Sequence, residues 1–318
     1  MKITVIFTGG TIGSAAQNGW ISPDGGRAGL LIENYRKIYG NTVEFEYKHP
    51  YTCLSENITA ERLNLLLDCV KQSLAEDTCG VIVTHGTDTL QYTAEFLALG
   101  LGRPEKSVCI VSSNYPLDDK RANGNVNFAA AVAMVREGHG GVFVPYRNSD
   151  GRVHVHFAAR LLRHGEFTDD VECFGHPFAR FANGYLDLTG EEYPKCEAVD
   201  NVCLADASQV LTVVCRPCDG FNYSLHNVKA VLMLPYHSGT MNTENENFKY
   251  FCYKCRCSNI PIYSVGMPRG TTYKSSSTLS ELGIIPLYET TFPSAYVMLW
   301  TAVSRGDDIR GFMERFSL

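Results

Sequence analysis

The sequence has no apolar run approaching the ~18–20 residues of a membrane-spanning helix, so no membrane partner is expected. It also lacks a strong charge of either sign. Its 28 Lys and Arg against 34 Asp and Glu leave a net charge of −6, which gives no reason to expect nucleic acid or an anionic membrane surface as a partner. The first glycine-rich loop is not Gly-x-Gly-x-x-Gly, and no Lys-Ser/Thr pair completes a phosphate loop, so a nucleotide-binding reading is disfavoured. Residue 1 leads straight into an apolar strand, so no secretory signal is expected. Lysine is absent between Lys120 and Lys195, a gap that bears on the chemistry below.

What is present is an ordinary globular composition, 45% apolar and 19% charged over 318 residues, enough for one large or two modest domains. Twelve cysteines sit in strands and helices of a sizeable chain and read as reduced thiols in a cytoplasmic protein. Cys215-x-x-Cys218 and Cys252-x-x-Cys255 have zinc-like spacing. However, Cys218 follows a strand end, while Cys252, Cys255 and Cys257 read as the last turns of an antiparallel helix, ~15 Å away. No metal is therefore expected.

Apolar strands alternate with helices along the chain. Ile3–Phe7, Thr42–Tyr47, Gly80–Val83, Ser107–Val111 and Gly141–Val144 read as strands. A helix carries Leu63, Leu66, Val70 and Leu74 at 3–4 spacing, and others begin near Gln91 and Asn127. The pattern predicts an α/β fold, with a larger N-terminal domain built on a doubly wound parallel sheet. The polar, acidic stretch 186–208 reads as a linker. Strands at 210–214, 229–234 and 260–265 predict a smaller C-terminal α/β domain, giving boundaries of 1–185 and 209–318.

Two strand-end turns carry the chemistry. Thr8-Gly9-Gly10-Thr11-Ile12-Gly13 follows the first strand, and Thr84-His85-Gly86-Thr87-Asp88-Thr89 follows the strand at 80–83. Thr and Asp are good helix caps, so simple capping is the bland reading of the second turn. A cap alone does not need two threonines, a glycine and a histidine together. Strand ends of open α/β sheets are where ligands bind, and helix N-termini favour developing negative charge. Thr11, Ser55, Thr87 and Ser113 all follow strands, so one crevice can collect them.

Together the two turns resemble the signatures of the bacterial-type L-asparaginase/glutaminase family, closest to its short cytoplasmic type I enzymes. The resemblance is strong in the first half of the chain and weaker after about residue 140. It implies hydrolysis of the side-chain amide of asparagine, glutamine or a related small amide, with release of ammonia and no cofactor. Thr11 would be the nucleophile, and Thr87, backed by Asp88 and a cation, the second hydroxyl. Main-chain N–H groups at the Thr11 and Thr87 turns would form the oxyanion hole, and Gly10 and Gly86 would line the substrate site. Ser55 would hold the substrate carboxylate, while Glu56 and Asp88 would bind its ammonium. Ser113 lines the same crevice. The resemblance further implies a homodimer or homotetramer, with Thr240 reaching a neighbouring protomer's site and Glu289 matching an acidic residue near the C-terminus.

Two positions depart from the family. The loop at 19–26 would be a lid, but Trp20 stands where the family has a tyrosine; Ser22 is the nearest hydroxyl. The family lysine falls in the lysine-free stretch, where Phe157-Ala158-Ala159-Arg160-Leu161-Leu162-Arg163 aligns best and puts Arg163 at that position. His156 and His164 are the other candidates. Arginine keeps a positive charge but cannot act as a base, whereas histidine can. These departures keep open a second class of function, a non-catalytic relative that binds an acidic amino acid or amide without turnover. A third reading is the ammonia-supplying part of a tRNA-dependent amidotransferase, which carries an extra N-terminal domain that this sequence is expected to lack.

Overall fold

The structure is a computed structural model. It describes residues 1–17, 20–23, 28–267, 269 and 273–317, with side chains at all of these except 13–17, 20–23, 28 and 274–276. The chain divides into two compact units, Met1–Asn201 and Val202–Leu318. The division falls inside the stretch expected to be a linker.

The first unit begins with β1 (Lys2–Phe7), a hairpin of β2 (Ser14–Gln17) and β3 (Trp20–Pro23), α1 (Ala28–Tyr39) and β4 (Glu44–Lys48). It continues through α2 (Ala60–Ala75), β5 (Gly80–Thr84), α3 (Leu90–Leu101), β6 (Ser107–Val111), α4 (Gly124–Glu137) and β7 (Gly141–Arg147). It ends with β8 (Val153–Phe157), β9 (Ala179–Ala182) and β10 (Tyr185–Leu188). The sheet order is β10-β9-β8-β7-β6-β5-β1-β4. The segment from β4 to β7 is parallel, as the near-continuous apolar strands require: β5 and β6 are buried at every position. The helices follow the same logic. In α2 the side chains of Leu63, Leu66, Leu67 and Val70 are buried, one stripe at helical spacing, and Thr59 caps its start.

Two features differ from the sequence reading. The sheet gains three antiparallel strands, β8 to β10, so it runs past the expected domain boundary at residue 185. The signal for β9 and β10 is Asn183-Gly184, which joins them with both residues at positive φ, 52° and 84°; this dipeptide suits the tight hairpin turn whose twist matches the strands. The stretch after Gly13, which enters the loop expected to be a lid, pairs as a hairpin with Gln17 opposite Trp20 and Ala15 opposite Ser22. The side chains of Trp20 and Ser22, and residues 19 and 24–26 of the expected lid, lie outside the described residues.

The second unit holds β11 (Val210–Val214), β12 (Ala230–Leu234), α5 (Glu246–Cys257), β13 (Ile262–Ser264), α6 (Lys274–Glu281), β14 (Ile284–Pro286), α7 (Phe292–Arg305) and α8 (Ile309–Phe316). Its four strands form one parallel sheet in sequence order. Asn245 caps α5 through its side chain, and Thr291 does the same for α7, with Pro293 in the first turn. Among the described residues no helix is long and apolar enough to cross a membrane.

Candidate active site

The sheet order creates a switch point. The chain leaves β1 toward β4 on one side, then returns past β1 to place β5 on the other. Crevices at the carboxyl ends of strands flanking such a point are the usual ligand sites of open α/β sheets. The Thr8–Gly13 turn follows β1 and the His85–Thr89 turn follows β5, so both open on that crevice.

The turns are held together tightly. Phe7 pairs with Thr84 at the strand ends. The Thr8 hydroxyl donates to the Thr84 carbonyl at 2.6 Å. Gly10, at φ +76°, lies so close to the second turn that a Cβ there would stand 2.6 Å from the Gly86 Cα. A Cβ on Gly86 would in turn stand 2.7 Å from the Ser55 Cβ. A third segment joins through the main chain. Gly10 N–H donates to the Cys53 carbonyl at 3.1 Å, and Cys53 N–H donates to the Thr8 carbonyl at 3.0 Å. This pairing continues the sheet past β4 and delivers the short 3-10 turn Ser55–Asn57. Gly10 is therefore required for the two turns to meet backbone against backbone, and Gly86 for the Ser55 side chain to pack against the second turn.

Around this junction Thr11 and Thr87 are half-buried, Asp88 and Glu56 are exposed, and Ser55 is buried. The Ser55 hydroxyl donates to Asp88 Oδ2 at 3.4 Å, so the residues assigned to carboxylate and ammonium recognition touch. Thr89 occupies the N-cap position of α3 but makes no capping bond. Its hydroxyl donates to the Ser55 carbonyl at 2.9 Å, tying two turns together.

His85 carries a role that residue spacing did not reveal. It is 1% exposed, with Nδ1 2.8 Å from the Gly86 carbonyl and Nε2 3.0 Å from the Thr93 hydroxyl. The carbonyl can only accept, so Nδ1 carries the proton and Nε2 accepts from Thr93. Burial lowers the ring's affinity for a second proton, so His85 is a neutral strut between the turn and α3.

The three basic candidates part company. His156 is buried in β8 with neither ring nitrogen bonded, and burial pushes its pKa down to about 3. Arg163 is exposed, and its charge acts on the half-buried Tyr92 hydroxyl of α3, opposing the upward push of burial. His164 reaches the central turn: its Nε2 lies 3.2 Å from the Thr87 carbonyl. Ser113 is buried, and its hydroxyl is engaged by the fold. It donates to the Tyr115 carbonyl at 2.6 Å and accepts from Gly124 N–H at the start of α4 at 3.1 Å.

In the second unit, Cys252 falls in mid-helix and shares a core cluster with Cys215 and Cys255. This corrects the expected separation of the two Cys-x-x-Cys pairs, because α5 lies along the sheet and brings its middle, not only its far end, over Cys215. Burial pushes these thiols up to about 11, 12 and 11 for Cys215, Cys252 and Cys255, while Cys218 is exposed. Protonated thiols are poor metal ligands. Among the described residues no group of three or more His, Cys, Asp or Glu side chains is placed to hold a metal ion. The Thr240 hydroxyl pairs with that of Ser238 at 3.1 Å, and Glu289 forms an ion pair with Arg269 at 3.4 Å.

This fold has known counterparts. The model of the asparaginase N-terminal domain matches residues 2–177. The chain therefore belongs to the asparaginase family. The fold of the thermostable L-asparaginase from Thermococcus kodakarensis superposes with a TM-score of 0.81 at 18% identity, covering 99% of this chain and 96% of that one. L-asparaginase I from Vibrio cholerae gives 0.77 at 19% identity, covering 99% and 96%. The probable cytoplasmic L-asparaginase from Campylobacter jejuni gives 0.75 at 20% identity, covering 98% of each chain. Among curated sequences, a glutamyl-tRNA(Gln) amidotransferase component (the D polypeptide) from Metallosphaera sedula is 29% identical over 140 residues, 43% of this chain and 31% of that protein. Its counterpart from Methanobrevibacter smithii is 26% identical over 194 residues, 59% of this chain and 44% of that protein. The chain thus spans less than half the length of these curated relatives.

Proposed function

We propose that this chain is an amidohydrolase that cleaves the side-chain amide of asparagine, or of glutamine or a related small amide, and releases ammonia. The observation that carries this reading is the convergence of the Thr11 and Thr87 turns on one switch-point crevice, backbone against backbone at Gly10 and Gly86. A pure binding site gains little from two threonine-bearing turns brought together in this way.

In this reading the Thr11 hydroxyl oxygen attacks the carboxamide carbon, and its proton leaves with the amine through Thr87. Expulsion of ammonia leaves an ester on Thr11. Water then cleaves the ester, returns the hydroxyl and yields the carboxylate. A threonine hydroxyl needs a base or a proton relay to react, and Thr87, backed by Asp88 and the basic segment at Arg163, supplies it. Main-chain N–H groups of the two turns stabilise the oxyanion; losing one such donor typically costs ~10²–10³ in rate. Ser55 binds the substrate carboxylate, and Asp88 with Glu56 the ammonium. The chain acts as a cytoplasmic homodimer or homotetramer.

The names of the curated relatives favour a second reading, in which the chain supplies ammonia as one component of a larger assembly. One experiment separates the possibilities. Ammonia release is measured from millimolar asparagine and glutamine with the wild type, Thr11→Ala and Thr87→Val. Release that both substitutions lower ~10²-fold or more supports the amidohydrolase and both threonine roles. Silence towards both amides, with aspartate still raising the melting temperature, supports a binder or a component awaiting its partner. Silence without stabilisation overturns the substrate class.

A further inference from the structure

His164 bridges two segments of the first unit. Its Nε2 is 3.2 Å from the Thr87 carbonyl oxygen, and its Nδ1 is 3.0 Å from the Asp170 carbonyl oxygen. Both partners can only accept. A neutral imidazole has one N–H and satisfies one of them; an imidazolium satisfies both. Each end of the bridge is itself fixed. The Thr87 carbonyl also accepts from Leu90 N–H at 3.2 Å, in the first turn of α3. On the far side the Asp170 carboxylate accepts from Ser149 N–H at 2.6 Å and from the Ser149 hydroxyl at 2.7 Å. The next residue, Val171, exchanges two hydrogen bonds with the Asn148 side chain, at 3.0 and 2.9 Å. The charged side chains on the segments that meet here are Asp88 on the central turn, Arg163, Glu166, Asp169, Asp170 and Glu172 on the histidine's own loop, and Arg147, Asp150 and Arg152 around Ser149.

We propose that His164, as the imidazolium, is a positioning residue: it clamps the Thr87–Asp88 turn to the loop at Asp170–Val171, itself tied to Asn148 and Ser149, and brings a positive charge to the turn that carries Asp88. Its effect on turnover rests on the amidohydrolase reading above. Loss of the ring proton deprives one carbonyl of its donor and loosens the clamp. The Thr87 hydroxyl, on the same residue as the tethered carbonyl, then loses its fixed position, and displacements of about 1 Å can cost ~10² in rate.

The test pairs kinetics with a direct view of the ring. Ammonia release is followed across pH for the wild type, His164→Gln and His164→Ala, and the His164 ring nitrogens are followed by ¹⁵N NMR on the wild type, assigned by their loss in His164→Gln. A glutamine amide keeps one donor group and cannot serve both carbonyls. The expected result is a fall in kcat of about tenfold or more in His164→Gln with KM changed less than about threefold. The wild type loses kcat as the ring signals report loss of the second N–H, and this limb is missing from the variant. An unchanged kcat and pH profile in His164→Gln overturns the proposal. So does a ring that is a single neutral tautomer at the pH of maximal activity. Should the wild type release no ammonia, the functional reading fails on its own, and the ring spectrum still decides whether His164 donates from both nitrogens.

Discussion

The turn after β5 and the strand β8 each bury a histidine, and the fold treats the two in opposite ways. His85 has both ring nitrogens bonded, one to the Gly86 carbonyl and one to the Thr93 hydroxyl. His156 has neither bonded, and its strand neighbour His154, 5.8 Å away between ring centres, leaves Nδ1 unpartnered as well. Burial drives both His85 and His156 toward the neutral form. In the turn, neutrality is used: one tautomer holds a tight glycine turn against a helix. In the strand it is only a cost, because a buried polar atom without a partner destabilises by about 1–3 kcal/mol. Burial alone therefore does not mark a functional histidine; the direction and identity of its partners do.

The largest effect is expected where the turn tolerates no side chain. Gly10→Val combines a positive φ with a Cβ pressed into the Gly86 backbone, and should cost about 4 kcal/mol or more and abolish activity. Denaturant unfolding measures it; a loss under about 1 kcal/mol would mean that the turns can separate.

Next comes the acid response of β8. The folded chain refuses a proton at His156 down to about pH 3, whereas the unfolded chain accepts one below its ordinary value of 6.5. Stability is therefore full above pH 6.5 and falls as pH drops through the window from 6.5 to 3, by on the order of 3 kcal/mol at pH 4.5 from this residue. His156→Leu should keep the fold, raise the melting temperature at pH 7 and flatten this fall. An unaltered acid slope in the variant would show that the ring is not the source.

His85→Phe should do the reverse, costing about 2 kcal/mol by stranding the Gly86 carbonyl and the Thr93 hydroxyl, and lowering activity more than stability alone explains. If both buried histidines respond alike to apolar replacement, the contrast between turn and strand is lost. The smallest effect is expected at Thr89→Val, which removes the bond to the Ser55 carbonyl and should cost about 1 kcal/mol with a rise in KM, read from urea melts and steady-state kinetics.

Much of this was legible along the chain. The apolar, β-branched runs of β1, β5 and β6 announce buried parallel strands, and the Gly and Thr turns after β1 and β5 announce a ligand crevice, because strand period and turn chemistry are local properties. The hairpin at β9 and β10 has a local signal in Asn183-Gly184, but each strand is four residues long and β10 is mostly exposed, so both blend into linker composition. Thr89 looked like a cap and is a cross-turn tether. Ser113 followed a strand as a site residue should, yet its hydroxyl serves the Tyr115 carbonyl and Gly124 N–H.

The sequence by itself determined the buried parallel strands, the two signature turns and the family, since these follow from periodicity and short motifs. Only the tertiary structure decided what those turns touch: Gly10 against Gly86, Gly86 against Ser55, His85 between Gly86 and Thr93, His164 rather than His156 at the Thr87 carbonyl. The reason is that most of these contacts join residues between about thirty and eighty positions apart, as with Ser55 to Asp88 and Thr87 to His164. A hydrogen bond at about 3 Å depends on how strands stack in the sheet, which no local pattern records.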